Sequence, residues 1–379
     1  MTLATATPRD VRRLRLHSQG LAARPGGDGA GTVTGAVAAA ERLLAVQAQD
    51  YPAAKWALGV RSPGTTAAHV EQALSAGLIV RSWPMRGTLH IVPAQDLHWM
   101  LQLSAPRQVA GAKTRRAQLG LTRDILESAR VIALDALVGG RELNRADFLS
   151  ALESHGIQTT GQRGYHIIWH LALTGTLCWG RHVGTQQVLV LLDEWVRNAR
   201  ELDGDEALGE FALRYFTGHG PATLADFAGW SQLTLTDARI GLAVARQDLV
   251  EFNVDGVGHF LPAGSDTEAP PRQRTAALLL PGFDEYFLGY RDRSAVIDGA
   301  HEQRIVPGKN GIFRPLIVVD GRIVGTWRKK TSLRSIRVIP EPFGRLTGRQ
   351  WAGLQRSTGD YGRFLGTRAT LEIPDAGTS

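Results

Sequence analysis

The chain has 379 residues, too many for one hydrophobic core, so two to four packed modules are expected. Ordinary hydrophobic and charged fractions exclude a largely disordered chain. The lone Cys178 excludes a disulfide framework or thiolate zinc cluster, and runs such as Val188 to Leu192 are too short to span a bilayer. Residues 1 to 8 lack the zones of a signal peptide, which reads as a cytosolic protein. The formal net charge is +7 and the pI near 9.9.

The N-terminal "PRDVRRLRLH" is basic and is followed by a Gly-rich insert, "ARPGGDGAGTVTG" (23 to 35). The run "GAVAAAERLLAVQAQ" predicts a helix whose buried stripe of Ala36, Ala40 and Leu43 continues to Gln47. Pro52 disfavours helix at Tyr51, so that helix is expected to end near Asp50, with Gln49 in its opening last turn. Two uncharged amides therefore flank Ala48 where a helix gives out. Periodicity alone favours an ordinary polar helix end, with Gln47 satisfying a backbone group and Gln49 solvated.

Three stretches share one grammar of a helix that stops and passes into a short strand. They are "VEQALSAGLIVRSW" (70 to 83), "IIWHLALTGTLCWGR" (167 to 181) and "RIGLAVARQDLVEF" (239 to 252), with stops at Gly77, Gly175 and Asp248. Each follows another helical stretch, which is the order of a winged helix-turn-helix. The uneven spacing, 98 and then 73 residues, predicts three related modules rather than a solenoid. "RSWPMRGTLHIV" (81 to 92) reads as a wing with Arg86, Thr88 and His90 on one face; a solvated edge and a DNA-facing edge fit it about equally. His166 and His170 lie four apart on a helix without a third ligand and read as ordinary histidines.

After the polar linker "GSDTEAPPRQR" (264 to 274) the pattern turns to β. "TAALLLPGF", "RIVPGKNGIFRPLIVVDGRIVGTW" and "SLRSIRVIPE" read as strands, with Asp320-Gly321 as a two-residue hairpin turn and "PGKNG" as a longer one bearing Lys309 and Asn310. "LPGFDEYFLGYRDRS" (280 to 294) offers Asp284, Glu285 and Asp292 as general acids, although salt bridges with Arg291 and Arg293 are the preferred account. Residues from about 366 onward are expected to fray. Charge is segregated: Arg304 to Arg337 holds nine Lys or Arg against Asp320, and "KTRRAQLGLTR" is basic, whereas Asp193 to Glu210 holds seven acids against two arginines. That pattern points to a polyanionic partner, most simply nucleic acid.

Taken together, "LLAVQAQDYPAAKWALGVRS", "RGTLHIVP", "LLLPGFDEYFLGYRDRS" and "NGIFRPLIVVDGRIVGTWRKK" resemble the AlkZ-type winged-helix DNA glycosylases of bacteria, from about Asp10 to about Leu371. The resemblance implies an α+β fold. Three tandem winged helices (8–118, 119–192 and 193–264) and a C-terminal β-barrel-like domain (275–373) would form a concave surface for duplex DNA. It implies a cofactor-free, monomeric and cytoplasmic enzyme without a membrane partner. Its activity would be monofunctional removal of N7-alkylguanine, including bulky toxin adducts and interstrand crosslinks. In that family a glutamine, apolar residue, glutamine motif is catalytic, and it matches Gln47, Ala48 and Gln49; a sister branch has aspartate at the second position. The segment "VPGKNGIF" would be the barrel hairpin that reaches into DNA, making Lys309, Asn310 and Arg314 contacts. Arg61, Arg86, Thr88, His90, Arg115 and Lys329 complete the expected DNA-binding set.

The chemistry suits neutral side chains. N7 alkylation gives guanine a formal positive charge, so the base leaves with little acid catalysis, and the enzyme's task is to position water against a sugar of oxocarbenium character. A glutamine supplies both an acceptor carbonyl and a donor NH₂ without titrating. Two other readings stay open: a non-catalytic winged-helix regulator, and a metal-dependent hydrolase using the carboxylates of 284 to 292.

Overall fold

A computed structural model describes residues 4–22, 31–184, 186–265, 277–309, 311–332 and 334–373. The fold is mixed α+β, with three sheets of three, five and six strands. Most of the Gly-rich insert, the linker beyond Ser265, Asn310 and the last six residues lie outside the described residues.

The shared grammar is present and more regular than the sequence suggests. Three helices precede each of three hairpins. The helices Val33–Leu43, Tyr51–Gly59 and Ala67–Ser75 lead into the hairpin Ile79–Met85/Thr88–Pro93. Arg123–Leu137, Arg145–Ser154 and Arg163–Leu173 lead into Leu177–Val183/Gln186–Leu191, and Gly204–His219, Leu224–Ser231 and Leu235–Val244 into Leu249–Val254/Val257–Pro262. Gly77 and Gly175 end their helices at positive φ, and a short 3₁₀ turn, Ala245–Asp248, ends the third.

Between the first two helices of each unit, a short stretch pairs with the fourth residue of the hairpin's second strand. The pairs are Val46 with Ile91, Leu143 with Leu189, and Ala222 with Phe260. In the second and third units the next residue, Asn144 or Thr223, already caps the following helix. In the first unit the cap is Asp50, so the chain carries three additional residues there: Gln47, Ala48 and Gln49.

The first two hairpins are one sheet, because Arg81 pairs with Trp179 across the unit boundary. The third hairpin forms its own sheet with the N-terminal strand Ala4–Thr5. One large apolar core runs from Leu44 through all three units to Tyr290. A second core packs the first unit's helices against a curled five-stranded half-barrel sheet and the long helix Gly348–Leu365. Trp56 Nε1 donates to Leu279 O at 2.7 Å, pinning that sheet to the first unit, and Trp327 Nε1 donates to Leu280 O at 2.8 Å within the sheet.

Three expectations are corrected. The helix ends at Leu43, not near Asp50, and Pro52 sits in the first turn of the next helix, where its missing N–H costs nothing. "VPGKNGIF" is no β-hairpin: it joins the helix Gly299–Ile305 to the strand Leu316–Val319, closed by Arg314 N donating to Ile305 O at 3.0 Å. Hairpins there are Leu316–Val319/Arg322–Thr331, turning at Asp320-Gly321, and Arg322–Thr331/Ser335–Pro342, whose outer end carries Arg328, Lys329, Lys330 and Arg334. Residues Arg368–Leu371 do not fray but pair in parallel with Ser335–Pro342.

The third unit is seated on the helix that leads into the motif. At Gly218 an added Cβ would run into the Arg42 carbonyl, backbone against backbone. Gly218→Ala is therefore expected to lower stability by about 1–3 kcal/mol, read as an earlier urea midpoint.

Candidate active site

The three additional residues form an extended segment anchored from both sides. Gln47 pairs with His90, and Ala48 N donates to Leu89 O at 2.6 Å. Arg81 grips the Ala48 carbonyl with Nε at 3.0 Å and a terminal nitrogen at 2.8 Å. Val46 and Ala48 are buried in the core against the half-barrel, so strand alternation sets Gln47 on the opposite face, and Gln49 lies in the bend that follows. Gln47 is 9% exposed and Gln49 is exposed, and neither amide side chain has a hydrogen-bond partner among the described residues.

Behind the segment lies a carboxylate that sequence reasoning had assigned to a surface salt bridge. Glu285 is fully buried, and its Oε1 accepts from the Gln47 N–H and from Arg86, both at 3.4 Å. Its Oε2 accepts from Trp230 Nε1 at 2.8 Å. His219 Nε2 stands 3.7 Å away, beyond hydrogen-bond reach. Burial pushes the Glu285 carboxyl up, but Arg86 and its other polar neighbours outweigh that and bring it down to about 2. Arg86 also meets His90 Nε2 at 2.8 Å. Burial first, and then the charge of Arg86, depress His90 to about 3, so the imidazole is neutral at pH 7.

Asp284, next to Glu285, is buried in a two-point ion pair with Arg61, each contact 2.8 Å. The carboxylate partners are thus Arg61 and Arg86, not Arg291 and Arg293. Asp292 accepts from the Ser294 N–H at 2.9 Å. Among the described residues no three His, Cys, Asp or Glu gather as a metal site.

The backbone is strained here. Leu44 (φ 61°), Arg86 (φ 58°) and Phe283 (φ 60°) occupy the left-handed half of φ space immediately before, beside and behind the motif. For bulky side chains such φ values cost about 1–3 kcal/mol each and persist only where the surroundings force them.

The expected DNA contacts divide. His90 is completely buried and Arg61 is 6% exposed, so both hold the site from inside and are withdrawn as DNA contacts. Arg86 is half-buried at the hairpin turn, and Thr88 is half-buried with a hydroxyl that has no partner among the described residues. Arg115, Arg314 and Lys329 are exposed, although none bonds to this cluster. Arg115 bonds to Gln118 and Gln162, Arg314 lies 3.9 Å from Glu341, and Lys329 donates to Tyr361 at 3.0 Å. Lys309 is the last residue of a 3₁₀ turn, and Asn310 lies outside the described residues. In the N-terminal basic helix, Arg15 is buried under Pro221 and Tyr290, and Arg12 donates to Ala295 O.

Two measurements test this geometry. Arg61→Ala strands a buried carboxylate and is expected to cost about 3–5 kcal/mol in urea unfolding, whereas Arg115→Ala and Lys329→Ala leave stability within about 0.5 kcal/mol. His90 and Glu285 are both depressed in the folded state. Their contribution is complete above the unfolded His value of 6.5 and is lost as pH falls from there toward about 3 for His90, and from 4.5 toward about 2 for Glu285. The melting temperature should therefore hold above pH 7 and fall on acidification below 6. His90→Asn should flatten the portion of that slope above pH 4.5.

A family model described as "DNA glycosylase AlkZ-like" matches residues 40–364. A curated relative, the interstrand DNA cross-link repair glycosylase of Streptomyces sahachiroi, is 27% identical over 316 residues, covering 76% of this chain and 80% of its own. The solved structure of Streptomyces sahachiroi DNA glycosylase AlkZ superposes with a TM-score of 0.80 at 23% identity, covering 97% of this chain and all of that one.

Proposed function

The chain belongs to the AlkZ-like DNA glycosylase family, and from that premise we propose that it hydrolyses the N-glycosidic bond of N7-alkylguanine in duplex DNA, bulky adducts and interstrand crosslinks included. The observation that carries this reading is the three-residue segment Gln47–Ala48–Gln49, which the other two units lack and whose two amides have no hydrogen-bond partner among the described residues. On this reading one amide carbonyl accepts from a water and aims it at C1′, while the other amide holds the deoxyribose or its phosphate. The cationic base leaves without a general acid, which suits a motif backed by a neutral His90 and an ionised Glu285. Glu285 is too deep to touch DNA; it fixes the Gln47 backbone and places a negative charge behind a developing oxocarbenium ion.

We further read each set of three helices and a hairpin as a winged helix-turn-helix, with units at 8–118, 119–192 and 193–264 and the C-terminal domain at 275–373. Arg115, Arg314 and Lys329 are then phosphate contacts, and Lys309 and Asn310 are further DNA contacts. The enzyme acts as a monomer in the cytoplasm, at the nucleoid. The crosslink repair named for the Streptomyces relative supports a bulky lesion.

Gln47→Ala and Gln49→Ala are each expected to reduce release of N7-methylguanine about 100-fold or more, with melting temperature and duplex affinity retained. Alkaline heating of the treated duplex reads the abasic sites as strand breaks. Wild-type cleavage by both variants would remove the motif from the mechanism. A wild-type protein that makes no breaks but protects a defined sequence would be a regulator.

A further inference from the structure

A cleft of about 540 Å³ opens where the first unit meets the second, next to the motif. Arg81 is a wall of this cleft and also the residue that grips the Ala48 carbonyl, and Tyr51, another wall, follows Gln49 by two residues. The cleft thus shares its side chains with the backbone of the proposed catalytic segment. Its volume is that of a small-molecule site rather than of a phosphate-sized notch.

The lining is aromatic and rich in donors. Tyr51 and His182 stack with centroids 4.6 Å apart and planes 16° from parallel, and Trp179 stands beside them, opposite Arg81 in the strand register. Tyr51 Oη, Trp179 Nε1 and His182 Nε2 are sealed from solvent and have no hydrogen-bond partner among the described residues, an uncommon concentration of unmet polar atoms around one hollow. Arg145 and Gln186, at the rim, are exposed and make no hydrogen bond or ion pair among the described residues. Neighbouring Gln187 is already committed, accepting from Arg81 at 2.7 Å and donating to Gly180 O at 3.1 Å. Stacked rings with a free guanidinium and a free amide at the mouth suit a flat aromatic group bearing hydrogen-bond acceptors. A simple phosphate would leave the aromatic lining unused, and an aliphatic chain would leave Arg145 and Gln186 unmet.

We propose that this cleft is a subsite for a planar, acceptor-bearing ring brought in by the lesion. The proposal rests on the N7-alkylguanine reading. Such a ring has two possible sources, the aromatic part of a bulky adduct or a base displaced from the stack. In the first case the alkyl group occupies the cleft while its guanine lies against Gln47 and Gln49. In the second the nucleobase itself enters.

The test uses the full-length protein and Arg145→Ala, His182→Ala and Gln186→Ala, of which Arg145 and Gln186 are exposed and safe for folding. Equilibrium dialysis with free N7-(quinolinylmethyl)guanine and free N7-methylguanine measures occupancy without turnover. The wild type is expected to bind the quinoline compound about ten-fold more tightly, and Arg145→Ala and His182→Ala to lose most of that preference. Single-turnover release is then compared on duplexes bearing one lesion or the other. A decrease in kcat/KM at least ten-fold larger for the quinoline lesion than for N7-methylguanine assigns the cleft to the adduct. An equal decrease on both assigns it to a displaced base. Variants that bind and excise both like the wild type overturn the proposal. If the wild type excises neither lesion while the binding preference holds, the substrate reading falls and the subsite stands.

Discussion

The arrangement depends on one buried anion. Glu285 carries a charge with no access to water, and three parts of the chain hold it there: the motif through the Gln47 N–H, the first hairpin through Arg86, and the third unit through Trp230. A buried carboxylate is tolerated only when its lone pairs are met, so those three parts must stay in register as long as it is ionised. The Arg61–Asp284 pair performs the same service one residue away, and Gln19 joins the two by accepting from Arg61 and donating to the Glu285 carbonyl and to Tyr290. The acidic pair thus acts as a keystone between the helical units and the half-barrel, away from any substrate.

This explains why the backbone is strained where it is. Leu44 and Phe283 are the only bulky apolar residues at positive φ among the described residues, and they introduce the two segments that meet at Glu285. Neither would choose that conformation alone. Leu44 is held by the deep core of the helical units, and Phe283 packs against Phe313 with ring centroids 5.5 Å apart.

Much of the fold was legible. The helix-to-strand stops at Gly77 and Gly175 and the Asp320-Gly321 turn follow local rules that tertiary packing did not override. The amphipathic stripe ending at Gln47 misled, because a period of 3.6 and a period of two both place an apolar Leu43 and an apolar Val46 inward; only the left-handed turn at Leu44 ends the helix. Pro52 marked a boundary correctly but from the wrong side. The importance of Glu285 was illegible because its partners lie about 200, 240 and 55 residues away in sequence, and a carboxylate beside arginines reads locally as a surface pair. The same distance hid Arg61 and His90, whose polarity suggested the outside of the protein. Family resemblance identified the motif, and the sequence alone would have left it a polar helix end.

The repeated unit also isolates the one place where the first unit departs from its two counterparts. Pairing of Val46, Leu143 and Ala222 with equivalent hairpin positions makes the three units comparable residue by residue, and the difference is a short in-frame insertion ahead of one helix cap. Additional residues at a strand end lengthen an edge while the succession of helices and hairpin is kept, so the first unit departs from the other two without losing their common plan.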